Sequence, residues 1–112
     1  MSDPLNLVSQ YCPFLFDKYG FKVVDSRASA SFGDEIVILQ SGSVSLRVTR
    51  DKGQVFLDFR TGAFKQNKAY AWHSIDVVRQ LITGKTDDNA TLNEQNAKFI
   101  EEFIPVIIRL FS

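Results

Sequence analysis

The middle of the chain consists of short runs in which apolar and polar residues alternate, and this feature constrains the fold most. Four such runs, 21–25, 35–40, 44–49 and 54–59, are separated by loops that contain glycine. A period of two indicates β-strands, and the short loops between the last three runs favour antiparallel pairing. The pattern therefore predicts an antiparallel sheet of about four strands.

Counting side chains across the loops predicts how the last three strands pair. A four-residue loop at 50–53, with Gly53 in the left-handed conformation, would place Val48 opposite Val55. A two-residue turn at 41–42 would likewise place Leu39 opposite Val44, on the same sheet face. A loop of odd length would mix apolar and charged side chains, because a slip of one residue moves every side chain to the other face. One sheet face is therefore predicted to be almost wholly aliphatic.

The other sheet face is predicted to carry charged and large apolar side chains together. Its members are Ile36, Ile38, Ser45, Arg47, Thr49, Phe56, Asp58 and Arg60. One interpretation is a solvated face on which the arginines are ordinary cross-strand neighbours of Asp58 and Phe56. The other is a docking surface, since partner proteins bind to mixtures of large apolar groups and arginine. Arg47, Phe56, Asp58 and Arg60 are therefore candidate binding residues.

Before the sheet, the sequence predicts a helix with an irregular centre. Asp3 and Pro4 suit its start, and Gly20 suits the left-handed residue after its last turn. Apolar residues recur between them at helical spacing, and Cys12 among them is expected to act as a small buried hydrophobe. Because a proline inside a helix removes a hydrogen bond, Pro13 predicts a kink or a break into two short pieces.

Two further helices are predicted after the sheet. Ser74 and Gly84 are the end signals of the first helix, and Thr91 with Glu94 has the capping-box spacing that opens the second. The residues of the first helix expected to face inward are Ile75, Val78, Leu81 and Ile82. With both helices packed on one sheet face, the expectation is a single α+β domain over residues 1–112.

The C-terminal segment, residues 103–111, has one charge in nine residues and is apolar on nearly every side. Such a segment must be buried by several neighbours. Two structures are possible for the end of the chain. The first is a kinked helix end, and the alternative is a β-strand over 105–111, since Val106, Ile107 and Ile108 are β-branched. If the chain's own sheet does not cover the segment, a second copy would, which predicts a homodimer through it.

Charge and composition exclude several classes of protein. Thirteen basic residues balance thirteen acidic ones and are spread evenly, which argues against a broad nucleic-acid surface. No apolar run approaches the roughly 18 residues of a membrane span, and the start lacks the pattern of a secretory signal. A cytoplasmic protein without a membrane partner is expected. The single cysteine, Cys12, permits neither an internal disulfide nor a cysteine-based zinc cage.

No catalytic set is recognisable in the sequence. His73 is the only histidine and follows the only tryptophan, Trp72. In a functional role, His73 would act as a general base or ligand with Asp76, whereas in a structural role the pair would anchor the helix cap at Ser74. Calcium-loop, phosphate-loop and Gly-x-Ser-x-Gly spacings are absent. The expectation is therefore a protein that is not an enzyme and needs no cofactor or metal.

Cations and aromatic residues, without any acidic residue, occupy the segment from residue 59 to residue 73. Its candidate binding residues are Arg60, Phe64, Lys65, Lys68, Tyr70, Trp72 and His73. This composition is typical of a small anion-binding or single-strand-binding surface. The alternative is a solvated loop whose aromatic side chains pack into the core. The segment supports a second hypothesis, a small-molecule or anion-binding domain.

Residues 20–60, GFKVVDSRASASFGDEIVILQSGSVSLRVTRDKGQVFLDFR, resemble a class of short uncharacterised bacterial proteins. That class has a GF-x-V strand, an FG-(D/N) turn and an R-D-(K/R)-G-Q hairpin, followed by a helix introduced by tryptophan. Some of these small α+β proteins are similar to immunity proteins, which neutralise a toxin by covering its surface. The resemblance implies a non-enzymatic, immunity-type protein-binding module of unknown partner, and it assigns no role to any residue.

Overall fold

The structure is a computed structural model that describes residues 4–28, 34–61, 72–85 and 89–111. Its strands are β1 (Lys22–Ala28), β2 (Glu35–Ser41), β3 (Val44–Asp51), β4 (Gln54–Thr61) and β5 (His73–Ser74). Its helices are α1 (Pro4–Tyr11), α2 (Pro13–Asp17), α3 (Ile75–Thr83) and α4 (Glu94–Leu110). The strands form one antiparallel sheet in the order β1-β2-β3-β4-β5. The predicted α+β class is confirmed, with one short strand added.

The predicted aliphatic face exists and forms one side of the core. Its buried side chains are Val37, Leu39, Val44, Leu46, Val48, Val55, Leu57 and Phe59, all at most 8% exposed. Apolar residues from all four helices of the described ranges belong to the same core, among them Val8, Leu15, Ile75, Val78, Ile100, Ile104 and Ile107. The helices therefore pack on this face, and the core lies between them and the sheet.

The strands pair two residues away from the predicted register. Val48 lies opposite Leu57 rather than Val55, and the β2–β3 pair shows the same shift. The β3–β4 turn contains only Lys52 and Gly53, with φ values of 52° and 81°. A tight hairpin turn of this kind needs positive φ at both positions. The predicted four-residue loop is wrong, but a shift of two keeps every side chain on its predicted face.

The break between α1 and α2 and both ends of α3 follow the sequence signals, whereas the predicted cap Asp3 lies outside the described residues. The helical structure is interrupted at Cys12, between α1 and α2, as Pro13 predicts. The Ser74 hydroxyl accepts a hydrogen bond from the backbone N–H of Val77 at the start of α3. Gly84, with φ of 76°, ends that helix in the left-handed conformation.

The last helix differs from its predicted form at its start. Asn93, rather than Thr91, caps α4 by accepting a hydrogen bond from the backbone N–H of Asn96. The helix continues through Pro105 to Leu110, so the helical alternative for the end of the chain is confirmed. The alternative prediction, a β-strand over 105–111, is wrong.

The chain's own core covers most of the apolar C-terminal segment. Ile104 and Ile107 are fully buried, and the ring of Phe111 stacks on that of Phe59 with the centroids 6.1 Å apart. Leu110 is 48% exposed. The condition for a homodimer, a segment left uncovered by its own chain, is therefore not met at the central residues of the segment. A homodimer stays an untested expectation.

The buried face of α3 differs from the predicted one, because it includes an arginine. Leu81, predicted to face inward, is 61% exposed, whereas Arg79 is only 8% exposed. The Arg79 guanidinium donates to Oδ1 of Asn96 and lies 3.4 Å from a carboxylate oxygen of Asp76. It also lies 4.9 Å from the ring centroid of Phe99. Arg79 therefore connects α3 to α4 through polar and cation–π contacts.

Asn96 extends this buried cluster to the edge of the sheet. It is 1% exposed, and its amide group donates to the backbone carbonyls of Asn89 and Thr91. The segment that it holds pairs with the outer edge of β4, where Thr91 lies opposite Phe56. The polar cluster thus fixes the segment that borders the exposed side of the sheet.

The thiol of Cys12 is expected to be unreactive while the protein is folded. Burial raises the pKa of this thiol from 9.0 to about 12, and the negative charge of Glu101 adds to the rise. Since the thiolate is the reactive form, iodoacetamide labelling at pH 8, followed by mass spectrometry, should require denaturant. Equal labelling rates for native and denatured protein would contradict this expectation.

The same raised pKa makes stability depend on pH at the alkaline end. The folded protein disfavours the Cys12 thiolate, so the unfolded chain loses this proton first as pH rises. The contribution of the thiol to stability is therefore complete below about pH 9 and is lost as pH rises towards 12. Cys12→Ala should flatten this part of the dependence of the unfolding free energy on pH.

Candidate binding face

The candidate site lies on the sheet face opposite the core, here called the open face. Its strand residues are Ile36, Ile38, Ser45, Arg47, Thr49, Phe56, Asp58 and Arg60, which alternate with the buried residues of the core. Ser45 is 3% exposed, and the other seven are half-buried. These seven side chains therefore keep part of their surface in contact with water.

Trp72 immediately precedes the edge strand β5 and reaches the open face from that edge of the sheet. The short strand β5 places Ser74 opposite Asp58 and His73 opposite Phe59. Because side chains alternate along a strand, Trp72 and Ser74 share the open face while His73 points to the other one. Trp72 thereby reaches the arginines of the neighbouring strands.

Two arginines contact the indole ring of Trp72. The guanidinium carbon of Arg60 lies 4.2 Å from the ring centroid, and that of Arg47 lies 4.8 Å from it. Both distances are within the roughly 6 Å range of cation–π attraction, which is strongest for tryptophan. The three side chains form an Arg–Trp–Arg cluster, the name used below.

Only one of these two arginines has a carboxylate partner within the described ranges. Nη2 of Arg47 lies 3.3 Å from Oδ2 of Asp58, its direct cross-strand neighbour. Nε of Arg47 is buried and has no hydrogen-bond partner. Among the residues that the structure describes, Arg60 contacts Trp72 but forms no ion pair. The Arg–Trp–Arg cluster with Asp58 therefore carries one excess positive charge.

A shallow depression lies on the open face next to the Arg–Trp–Arg cluster. Its volume is about 360 Å³, and it is lined by Ile36, Arg47, Thr49, Asp51, Phe56, Asp58, Ser74 and Ala90. Ile36 and Phe56 supply apolar surface, whereas Arg47 and Asp58 supply charge. The depression can therefore accept an apolar group beside polar ones.

The structure brings together five of the residues that the sequence predicted for binding. They are Arg47, Phe56, Asp58, Arg60 and Trp72. His73 is separated from them, since its ring lies 5.8 Å from that of Phe111 on the core side of the sheet. Phe64, Lys65, Lys68 and Tyr70 lie outside the described residues.

Three lining residues of the depression were not predicted from the sequence. Asp51 lies at the end of β3, Ser74 lies in β5, and Ala90 lies in the segment that pairs with β4. Ser74 carries a recognisable signal as a helix cap, but β5 has only two residues and therefore shows no period. Nothing in the local sequence marks Ala90.

The chemical groups of the open face are cationic, aromatic and apolar. In the ranges covered by the structure, no cluster of three or more His, Cys, Asp or Glu side chains could hold a metal ion. The open face presents guanidinium donors, an indole ring, a depression of mixed apolar and charged lining, and a carboxylate already paired with Arg47. These groups can bind a partner through stacking, charge and apolar contact.

Comparisons with known proteins add no relative to this picture. No family model, no curated protein and no solved structure matches the chain. None of the helices within the described ranges has the length and apolarity needed to cross a membrane.

Proposed function

We propose that this chain is a non-enzymatic protein-binding module that presents the open face to a partner protein. The observation that carries the proposal is the contact of both Arg47 and Arg60 with the indole ring of Trp72, beside the depression. Tryptophan and arginine are the residue types most enriched among those that dominate binding energy at protein interfaces. Phe56 provides the neighbouring apolar contact.

The rigidity of the face supports the same proposal. Its side chains project from paired strands whose other side is buried in the core, so the backbone beneath them is fixed. The ion pair with Asp58 and the stacking on Trp72 further restrict Arg47. A surface that is ordered before binding loses less conformational entropy when a partner docks.

The shape of the depression favours a protein partner over an enclosed small molecule. Small-molecule sites bury about 70–90% of their ligand in a cleft. The depression beside Phe56 is shallow, and its lining is spread over four strands, β2 to β5, and Ala90. We propose an immunity-type role, in which the partner is a toxin, on the sequence resemblance alone. A single cysteine fits a reducing compartment such as the cytoplasm.

One observation also favours the second candidate function, a small-molecule or anion-binding domain. Arg60 and Trp72 both belong to the basic aromatic segment from residue 59 to residue 73, and they stack at 4.2 Å. Thermal-shift screening separates the two functions, because a ligand stabilises the folded protein that binds it. A small anion whose stabilising effect disappears in Lys65→Ala and Lys68→Ala variants would support this second function.

The leading proposal is tested by removing two side chains from the open face. Phe56→Ala combined with Arg60→Ala should weaken binding to the partner roughly a hundredfold, as expected for two central interface residues. The partner is first captured with the wild-type protein from cells of the source organism, and its affinity is then measured with purified proteins by calorimetry.

The matched control for this double variant changes exposed apolar residues on α3. Val77 and Leu81 are 41% and 61% exposed, and neither lies on the open face. Val77→Ala combined with Leu81→Ala should keep full affinity. If this control loses the partner while a folded Phe56→Ala, Arg60→Ala protein retains it, the open face is not the binding surface.

A further inference from the structure

We infer that the segment of the partner protein that docks here carries a carboxylate bound by Arg60, close to an apolar side chain bound by the depression. This inference rests on the proposed function of the open face. It adds the chemistry of the partner, namely an extended acidic and apolar peptide segment.

The excess positive charge is located at Arg60. Asp58 neutralises Arg47, whereas no carboxylate in the described ranges pairs with Arg60. The guanidinium carbon of Arg60 lies over the Trp72 ring, 4.2 Å from its centroid, and a guanidinium carries its N–H donors at its edges, in its own plane. A guanidinium presented in this way matches the two oxygens of a carboxylate with parallel hydrogen bonds.

Asp58 and Asp51 determine where a carboxylate can bind. Both acidic residues line the depression, so they would repel a carboxylate of the partner placed beside Arg47. Arg60 does not line the depression. The arrangement therefore directs the partner's carboxylate to the Arg60 end of the open face and its uncharged group into the depression. Arg47, held by Asp58 and Trp72, acts as a positioning residue.

The spacing along β4 sets the spacing in the partner. Phe56 and Arg60 are four residues apart in one strand, which corresponds to about 13 Å at roughly 3.3 Å per residue. An extended segment that contacts both would carry its apolar and acidic residues up to four positions apart. Residues at even separation in an extended peptide point to the same side, so separations of two or four fit best.

The sole tryptophan of the chain provides the measurement. Because Trp72 is the only tryptophan, its fluorescence reports on the open face alone. A phage-displayed library of random 12-residue peptides is selected on the full-length protein, and recovered peptides without tryptophan are synthesised. Each is paired with a version in which Asp or Glu is replaced by Asn or Gln, and both are titrated against the protein.

The expected result is a set of peptides with an acidic residue two or four positions from Leu, Ile or Phe. The amide versions should bind at least tenfold more weakly to the wild type. Arg60→Gln should abolish this difference between acid and amide, and Arg60→Lys should retain part of it. Arg109→Gln, at an exposed arginine of α4, should behave as the wild type.

Three other outcomes would overturn the inference, and they differ in what they leave standing. Peptides that need Phe56 but bind equally well as amides would remove the carboxylate and leave the proposed function intact. Selected peptides unaffected by both Phe56→Ala and Arg60→Gln would remove the proposed function as well. Inorganic phosphate or acetate that binds more tightly than every acidic peptide, with the same dependence on Arg60, would identify a small-anion site instead.

Discussion

Replacing Phe59 by alanine is expected to destabilise the protein by about 3–5 kcal/mol, the usual cost of truncating a buried phenylalanine. Phe59 is 0% exposed, and its ring stacks on Phe111 with centroids 6.1 Å apart. Neighbouring side chains cannot collapse fully into the resulting cavity, so lost contacts add to the lost burial. Urea unfolding followed by circular dichroism measures the change in the free energy of unfolding.

Phe56 provides the matched control for this prediction. It lies on the same strand as Phe59, three residues away, but on the half-buried open face. Phe56→Ala is expected to cost less than about 1.5 kcal/mol, because the side chain keeps part of its contact with water in the folded state. Equal costs for the two substitutions, or a larger cost at Phe56, would show that the faces of β4 are assigned the wrong way round.

Asn96→Leu is expected to destabilise the protein by about 2–4 kcal/mol, although the two side chains have the same number of heavy atoms and the same branching. The substitution removes the side-chain oxygen to which the buried Arg79 guanidinium donates, and the amide donor to the backbone carbonyls of Asn89 and Thr91. Buried polar groups that lose their partners cost about 1–3 kcal/mol each, and more when charged. Thermal and urea unfolding both report this loss.

Gln80→Leu is the control for Asn96→Leu. Gln80 is exposed on α3, so the same change from amide to leucine there should stay within about 0.5 kcal/mol of the wild type. Combining Asn96→Leu with Arg79→Met should restore part of the lost stability, since both polar partners are then removed together. Strictly additive costs would mean that Arg79 and Asn96 are not coupled.

The faces of the sheet could be predicted from the sequence because they depend only on whether a loop has an even or odd number of residues. The loop length itself could not be predicted in this way. The β3–β4 turn uses Lys52 at φ of 52°, and a lysine gives little indication that it will adopt a left-handed conformation. A four-residue and a two-residue loop therefore satisfy the hydrophobic pattern equally well.

The inward face of α3 shows where a periodic pattern fails. Leu81 and Arg79 are two positions apart, and hydrophobicity alone favours burial of the leucine. The observed burial of Arg79 depends on Asn96, which lies 17 residues further along the chain in another helix. No local window contains both partners, so the choice is made by tertiary contacts.

The candidate site could be predicted in part, because most of its residues lie on long strands with a clear alternation of side chains. Arg47, Phe56, Asp58 and Arg60 lie in long alternating strands, so their shared face follows from the pattern. Trp72 joins them through β5, a strand of two residues that has no detectable period. The separation of His73 from Trp72 also follows from that short strand, and composition alone had grouped the two residues together.

The claim that the open face is the binding surface is tested most directly by nuclear magnetic resonance on the 15N-labelled protein. The partner, or a selected acidic peptide, is added, and shifts of the amide and indole N–H signals are followed. We expect the largest shifts at the Trp72 indole and at the backbone amides of Arg47, Phe56 and Arg60. Shifts concentrated at Val77 and Leu81 on α3, with the Trp72 signal unchanged, would contradict the claim.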